Sequence, residues 1–261
     1  MTEYSTAACG GLTGVSDTFG ATLWGVDYTL QLATVGYSAA HLHTRERNIT
    51  YNLYDYPGDG VDAWTTLPMF YSYLPVLNAL QSHNGSRVVD LNLEDSMAKT
   101  GATNAAYGVY DATTSDLYRM VFISFADGGG SVQYTIPQGA LPQTGRNVTV
   151  RYLTAPSIQE KWDINWGGKT WKGAKDGLPL DATTGQDVSL DCSAGCTVNV
   201  PSPGLALVLV NKALPPGTPS GGGSNDSSYD TGSGGARRGV VDSVFTVVLS
   251  AFLFQLYSAF M

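Results

Sequence analysis

Two histidines near residue 42 are the first side chains in this sequence that could do chemistry. His41 and His43 lie two residues apart in a short apolar run, so in a strand both would point to one face, near its C-terminal end. Imidazoles there could hydrogen-bond a hydroxyl or a carboxylate; alternatively, neighbouring strands satisfy them and they are structural. His43 is the better candidate for binding because it is nearer the following loop.

The loop after these histidines offers further polar groups. Tyr51 and Tyr54 could donate hydroxyls to a ligand, or they only pack the loop. Arg45 and Arg47 could bind a carboxylate with two parallel hydrogen bonds. Their Arg-Glu-Arg setting favours a solvated turn instead.

The cysteines indicate a disulfide and no metal. Cys192 and Cys196 stand four apart among turn residues, a spacing that can close a small disulfide loop. Zinc is the alternative, but no second Cys or His pair lies at ligand spacing. We therefore expect the disulfide and no metal or other cofactor, with Cys9 left over.

These side chains need elements to position them, and the first 83 residues read as α/β. Ser16 and Asp17 can cap a helix whose apolar residues recur at spacings of three and four until Gly36. A short buried strand is predicted over 37–42. A second helix is predicted over 68–81, with its inward residues at Phe70, Leu74 and Leu77 and a kink at Pro75.

After residue 87 the spacing of apolar residues changes from a helical period to the alternation that is typical of strands. Eight short strands separated by turn residues, with no helix between them, predict a β-sandwich over 84–212. The predicted strands are 89–93, 105–110, 118–125, 131–136, 147–153, 188–192, 197–200 and 205–210. The insertion 155–186 carries three tryptophans that stack on a ligand or, as we expect, fix this long loop.

Composition argues against one class of partner, whereas the glycosylation sequons, the expected disulfide and the C-terminal region favour a protein outside the cytosol. The net charge of −8 and the lack of a basic stripe argue against a nucleic-acid partner. Glycosylation sequons occur at Asn48, Asn84 and Asn147, and a fourth at Asn225.

The C-terminal region has the pattern of a lipid-anchor signal. Residues 213–239 are rich in Gly and Ser and predict a disordered linker. Residues 240–261 are mainly apolar, which is typical of a GPI-anchor signal. The candidate attachment sites are Ser224, Asn225, Gly232 and Ser233. A membrane-spanning tail is the alternative. No signal peptide is visible at Met1, so we expect a truncated chain whose full-length parent is anchored at the cell surface.

The N-terminal residues carry a family resemblance. The run from Gly14 to Trp24 (Gly-Val-Ser-Asp-Thr-Phe-Gly-Ala-Thr-Leu-Trp), preceded by Thr2-Glu3-Tyr4-Ser5, resembles fungal members of glycoside hydrolase family 79. That family includes β-glucuronidases and heparanase-like enzymes. The segments around His41, Tyr51, Tyr107 and Trp166 fit it less specifically, and the resemblance covers about residues 2–211.

The resemblance implies a (β/α)₈ barrel with an appended β domain and a retaining mechanism with two carboxyl groups. On this basis 1–83 is the C-terminal part of the barrel, and Glu3 matches the nucleophile. His41, His43, Tyr51 and Tyr54 become candidates for binding a glycan substrate such as a β-glucuronide. The acid/base glutamate lies upstream in the family, so we expect this chain alone to be inactive. The alternative is a non-catalytic, GPI-anchored surface sandwich that binds glycans or mediates adhesion.

Overall fold

The computed structural model describes residues 3–58, 60, 63–82, 85–93, 101–142, 146–210 and 246–247. Two helices are present in this part of the chain, α1 (Phe19–Thr34) and α2 (Phe70–Leu80). The strands are β1 (Ala39–Ala40), β2 (Tyr54–Asp55), β3 (Thr65–Thr66), β4 (Ser86–Asp90), β5 (Asn104–Asp111), β6 (Leu117–Ser124), β7 (Ser131–Ile136), β8 (Asn147–Thr154), β9 (Asn165–Trp166), β10 (Lys169–Thr170), β11 (Leu180–Asp181), β12 (Val188–Asp191), β13 (Cys196–Pro201), β14 (Gly204–Leu209) and β15 (Thr246–Val247).

The N-terminal unit is a strand–helix–strand arrangement. Tyr4 forms a parallel bridge with Leu42, in which the Tyr4 amide donates to the His41 carbonyl (2.9 Å) and the His43 amide donates to the Tyr4 carbonyl (2.8 Å). Helix α1 connects these two segments, as parallel pairing requires. The regular strand β1 also pairs in parallel with β15.

One antiparallel sheet dominates the rest of the chain. Its strands follow the order β11-β10-β9-β8-β14-β6-β5-β4, and β12 also pairs with β8. A second sheet, β7 with β13, packs on one face, and the two helices pack on the other. The described residues therefore form an α/β unit packed on a β-sandwich.

The alternation of side chains in the central strands explains this layering. In β6, Val121 and Ile123 belong to the core on the helix side, whereas Met120 and Phe122 belong to the core between the two sheets. Every residue of β14 is buried for the same reason, since both of its faces are covered. Each core on its own removes a large apolar area from water.

Several predicted details differ in the structure. Thr18, and neither Ser16 nor Asp17, is the N-cap of α1, because the Thr18 hydroxyl accepts from the Ala21 amide. Leu77 is exposed, since the inward face of α2 carries Tyr73, Val76 and Ala79 instead. The strand predicted over 89–93 ends at residue 90.

No helix in the described ranges is long and apolar enough to cross a membrane. Asn84, Ser224, Asn225, Gly232 and Ser233 lie outside the described residues, as does the predicted anchor signal except for 246–247. The predicted linker also lies outside them.

Candidate active site

The pairing of the segments at Tyr4 and Leu42 decides which side chains share a face. The Tyr4 side chain points to α1, where its hydroxyl hydrogen-bonds the Thr29 hydroxyl at 2.6 Å, and Leu42 is buried in the same cluster. Because side chains alternate along extended segments, Glu3, Ser5, His41 and His43 occupy the opposite face. The register sets Glu3 level with His41 and Ser5 level with His43.

Glu3 is exposed on this face and forms no ion pair with another residue that the structure describes. The Ser5 hydroxyl oxygen is shielded from solvent and has no hydrogen-bond partner within the described ranges. The face therefore presents a carboxylate, a hydroxyl and two imidazoles. A carboxylate in this setting can act as a nucleophile or as a base.

Tyr51 is the loop residue that reaches this face. Its hydroxyl lies 3.0 Å from His43 Nδ1, and its ring is 5.6 Å from the imidazole ring. Tyr51 is almost fully buried, so its position is fixed by packing. Which of the two groups donates depends on the tautomer of His43.

Tyr54 lies elsewhere. Its ring contacts Trp64 and Phe70 on the helix-facing side of the unit. Burial raises the pKa of the Tyr54 hydroxyl, so the group stays neutral. The structure therefore brings Tyr51 and His43 together and sets Tyr54 apart from them.

Asn52 organises the loop that carries Tyr51. Its side-chain oxygen accepts from the Arg45 amide (2.9 Å) and the Thr44 hydroxyl (3.1 Å). Its side-chain nitrogen donates to the Glu46 carbonyl (2.8 Å) and the Asp55 carboxylate (3.1 Å). This role of Asn52 was not predicted from the sequence, where its signal is its place between two candidate tyrosines.

The two arginines of this loop differ. Arg45 is exposed and paired with Glu46 at 2.9 Å, as a solvated turn predicts. For Arg47 that prediction was wrong, because its Nε and Nη1 atoms are shielded from solvent. A Cβ added to Gly58 would lie 3.0 Å from Arg47 Nη1, so the guanidinium packs closely against the backbone there.

A second loop, residues 6–18, follows the segment that carries Glu3. The Thr6 hydroxyl donates to the Ser16 hydroxyl at 2.7 Å, and the Leu12 amide donates to the same Ser16 oxygen at 2.9 Å. The Thr50 hydroxyl donates to the Gly10 carbonyl at 2.8 Å and joins this loop to the loop of Tyr51. Both loops at the candidate site are therefore held together.

The remaining predicted sites lie away from this face. Cys192 and Cys196 form a disulfide with a Cα–Cα distance of 4.7 Å, and Cys9 is free and exposed in loop 6–18. Asn48 and Asn147 are both exposed. No group of three or more His, Cys, Asp or Glu in the described part of the chain is arranged to hold a metal ion.

The tryptophans of the insertion mostly pack, as expected. Trp166 is buried in the core on the helix side, and Trp171 packs against Phe70 and Tyr71. Trp162 is 47% exposed and departs from that expectation.

Residues 106–207 match the glycosyl hydrolase family 79 C-terminal beta domain. This part of the chain is thus similar to the C-terminal portion of glycoside hydrolase family 79.

Two fungal proteins are similar to this chain in sequence. The chain is 26% identical over 220 residues to a beta-glucuronidase of Aspergillus niger, covering 76% of this chain and 38% of the relative. It is 24% identical over 204 residues to a beta-glucuronidase of Neurospora crassa, covering 64% of this chain and 34% of the relative. The chain thus spans little more than a third of these relatives.

A solved structure shares the fold. The 4-O-α-L-rhamnosyl-β-D-glucuronidase of Fusarium oxysporum superposes with a TM-score of 0.62 at 19% identity, covering 79% of this chain and 42% of that protein.

Proposed function

We propose that this chain forms the C-terminal portion of a retaining β-glycosidase that releases terminal β-linked glucuronic acid. The observation that carries the proposal is the placement of Glu3, which shares one face of a parallel strand pair with His41 and His43. In an eight-stranded barrel this face is the interior, and the C-terminal ends of the strands hold the active site. The two curated relatives, both named as beta-glucuronidases, support the substrate class.

In this proposal the 1–83 unit is part of a (β/α)₈ barrel and Glu3 is the nucleophile. Its carboxylate attacks the anomeric carbon and forms a glycosyl–enzyme ester, while a second carboxyl group about 5 Å away protonates the departing oxygen. That second group then activates the water that hydrolyses the ester. His43 and Tyr51, joined at 3.0 Å, line the same face and bind hydroxyl or carboxylate groups of the sugar.

We also propose that this polypeptide alone has no glycosidase activity. It spans 38% of the Aspergillus niger relative, and a closed barrel takes at least about 200 residues. The second carboxyl group would come from the rest of the barrel in a longer parent. That parent is displayed outside the cell on a C-terminal lipid anchor, a proposal supported by the sequons and the Cys192–Cys196 disulfide.

The test compares the purified chain with a barrel-containing parent on an aryl β-glucuronide. The chain is expected to show no turnover. In the parent, Glu3→Gln should lower kcat by at least about a thousandfold, because the covalent step loses its nucleophile. A glucuronide with fluorine at C2 and a good leaving group should label Glu3, as peptide mass spectrometry would show.

Glu46→Gln is the matched control, since Glu46 is an exposed glutamate whose side chain pairs with Arg45. It should leave kcat unchanged. If the purified chain turns over the substrate and Glu3→Gln abolishes this turnover, the proposal that the chain alone is inactive is wrong. Full activity of the Glu3→Gln parent would disprove the role of Glu3.

The alternative is a non-catalytic surface module that binds glycans through the sandwich. A cleft of about 510 Å³ opens between β5, β6 and β7. Most of its lining is apolar, and the side-chain oxygen of Asn104, one of its polar groups, already accepts a hydrogen bond from Tyr134. Sugars need several converging polar groups, so this cleft does not favour the alternative.

A further inference from the structure

A loop of the sandwich holds the first turn of α1. We call residues 157–163 the clamp loop. The Phe19 amide donates to the Glu160 carbonyl at 2.7 Å, and the Gly20 amide donates to the Ile158 carbonyl at 2.8 Å. The first amides of a helix have no partner within the helix. The clamp loop thus satisfies two donors that the α/β unit leaves open.

An ion pair extends this contact to loop 6–18. Lys161 Nζ lies 2.6 Å from Asp17 Oδ2, and both side chains are partly buried. The other oxygen of Asp17 accepts from the Gly14 amide at 2.6 Å. Asp17 therefore links the clamp loop directly to the loop that follows Glu3.

Glu160 gives the clamp loop its shape. Its Oε1 atom accepts from the backbone amides of Lys161 (2.9 Å), Trp162 (2.9 Å) and Asp163 (3.1 Å). These hydrogen bonds lower the pKa of the Glu160 carboxyl, so it is ionised at neutral pH. One carboxylate thus fixes the turn that presents the Glu160 carbonyl and Lys161 to the α/β unit.

Close packing at the helix start leaves little freedom in this contact. A Cβ added to Gly20 would lie 2.9 Å from Ile158 Cγ1, closer than ordinary van der Waals contact. The Ile158 amide in turn donates to Asp127 Oδ1 at 2.9 Å, which ties the clamp loop to the end of β6. The clamp is therefore anchored in the sandwich and fits against one helix turn.

We infer that Glu160 is a positioning residue, through which the sandwich fixes loop 6–18 and the segment that carries Glu3. The inference rests on the proposed function only in treating that segment as part of an active site. The Glu160 carboxylate acts on α1 through the clamp loop: it fixes the turn whose backbone carbonyls accept from α1 and whose Lys161 pairs with Asp17.

The experiment is amide hydrogen exchange on the full chain, comparing the wild type with Glu160→Ala. Loss of three hydrogen bonds to a charged group should speed exchange at Phe19, Gly20 and residues 6–18 by at least about tenfold. Exchange in β6, β8 and β14 should not change. Glu160→Gln keeps an accepting oxygen and should restore most of the protection.

Asp191→Ala is the matched control. Asp191 Oδ1 caps a turn of the sandwich in the same way, by accepting from the Ser193 amide at 2.9 Å, but this turn lies beside the disulfide. Asp191→Ala should speed amide exchange only in the turn that Asp191 caps. Lys161→Ala is a second, milder variant that removes the ion pair to Asp17 and should speed exchange within 6–18.

A second readout separates positioning from general stability. The side-chain carboxyl ¹³C resonance of Glu3, assigned with Glu3→Gln, should shift in Glu160→Ala and return in Glu160→Gln. Faster exchange confined to 161–163, with the Phe19 and Gly20 amides and the Glu3 resonance unchanged, would overturn the inference. No turnover is measured, so failure of the proposed function would not affect this result.

Discussion

At the scale of single residues, Asn52 shows how one buried amide can hold a functional loop. It has no solvent-exposed surface, and its four hydrogen bonds connect backbone and side chains from residue 44 to residue 55. An asparagine side chain offers two donor and two accepting positions, so each is used. Aspartate would keep the accepting positions and lose both donors.

We predict that Asn52→Ala lowers the free energy of unfolding by about 2–4 kcal/mol, because it leaves buried backbone groups without partners. Asn52→Asp should be no more stable than the alanine variant, since it also brings a second negative charge next to Asp55. Urea unfolding of the full chain measures both. A nearly wild-type Asn52→Asp protein would show that side-chain volume, and not hydrogen bonding, is what the loop requires.

At the scale of elements, α1 meets the large sheet through a partly buried carboxyl group. The Tyr107 hydroxyl on β5 donates a hydrogen bond to Asp27 Oδ1 at 2.5 Å, and Gln31 one turn later donates to Asp90 at 2.6 Å. Burial raises the pKa of Asp27, while the hydrogen bond from Tyr107 acts in the opposite direction and is the smaller effect.

This raised pKa predicts the direction of a pH dependence. A carboxyl whose pKa is higher in the folded protein contributes stability below its unfolded pKa, and this contribution is lost as pH rises through the folded pKa. Asp27→Asn keeps an accepting oxygen without the charge. From about pH 4 to pH 7, the wild type should therefore lose stability relative to Asp27→Asn.

Urea unfolding at several pH values measures this difference. Asp116→Asn, in an exposed turn between β5 and β6, serves as the control and should run parallel to the wild type at each pH. A constant difference between Asp27→Asn and the wild type would show that the Asp27 carboxyl is not perturbed by its burial.

The elements were largely predictable because their signals are local. Strand β7 was predicted with its observed bounds, and most other sandwich strands within one or two residues, since turn residues and alternation set them. The cap of α1 was misplaced because Ser16, Asp17 and Thr18 are all good capping residues. Ser16 and Asp17 are instead bonded to Thr6 and to Lys161.

At the scale of the whole molecule, the site depends on contacts that no local pattern contains. Lys161 and Asp17 are 144 residues apart in sequence, and Tyr107 and Asp27 are 80 apart. Periodicity predicts which face of an element is buried but not which element covers it. The pairing of Tyr51 with His43 was within reach of the sequence, because both belong to one short loop and the strand before it.

The helix-side core has a further consequence for the whole molecule. It includes Phe19 and Val26 of α1 together with Val109, Val121 and Leu207 of the sheet. The boundary predicted near residue 83 therefore marks where the sequence changes from a helical to an alternating pattern, but the residues on its two sides share one core. Elements that share a core unfold together, since neither can bury its apolar face alone.

We predict that a chain of residues 3–210 unfolds in a single transition, with the same midpoint by tryptophan fluorescence and by circular dichroism. Residues 85–210 alone should bind a hydrophobic dye and aggregate, because removal of the helices exposes the apolar face of the sheet. Two separate transitions, or a soluble and dye-free 85–210, would show that the sandwich is stable by itself. In that case the clamp loop would not be needed for folding. A single transition would instead show that the α/β unit, which carries Glu3, and the sandwich form one folding unit.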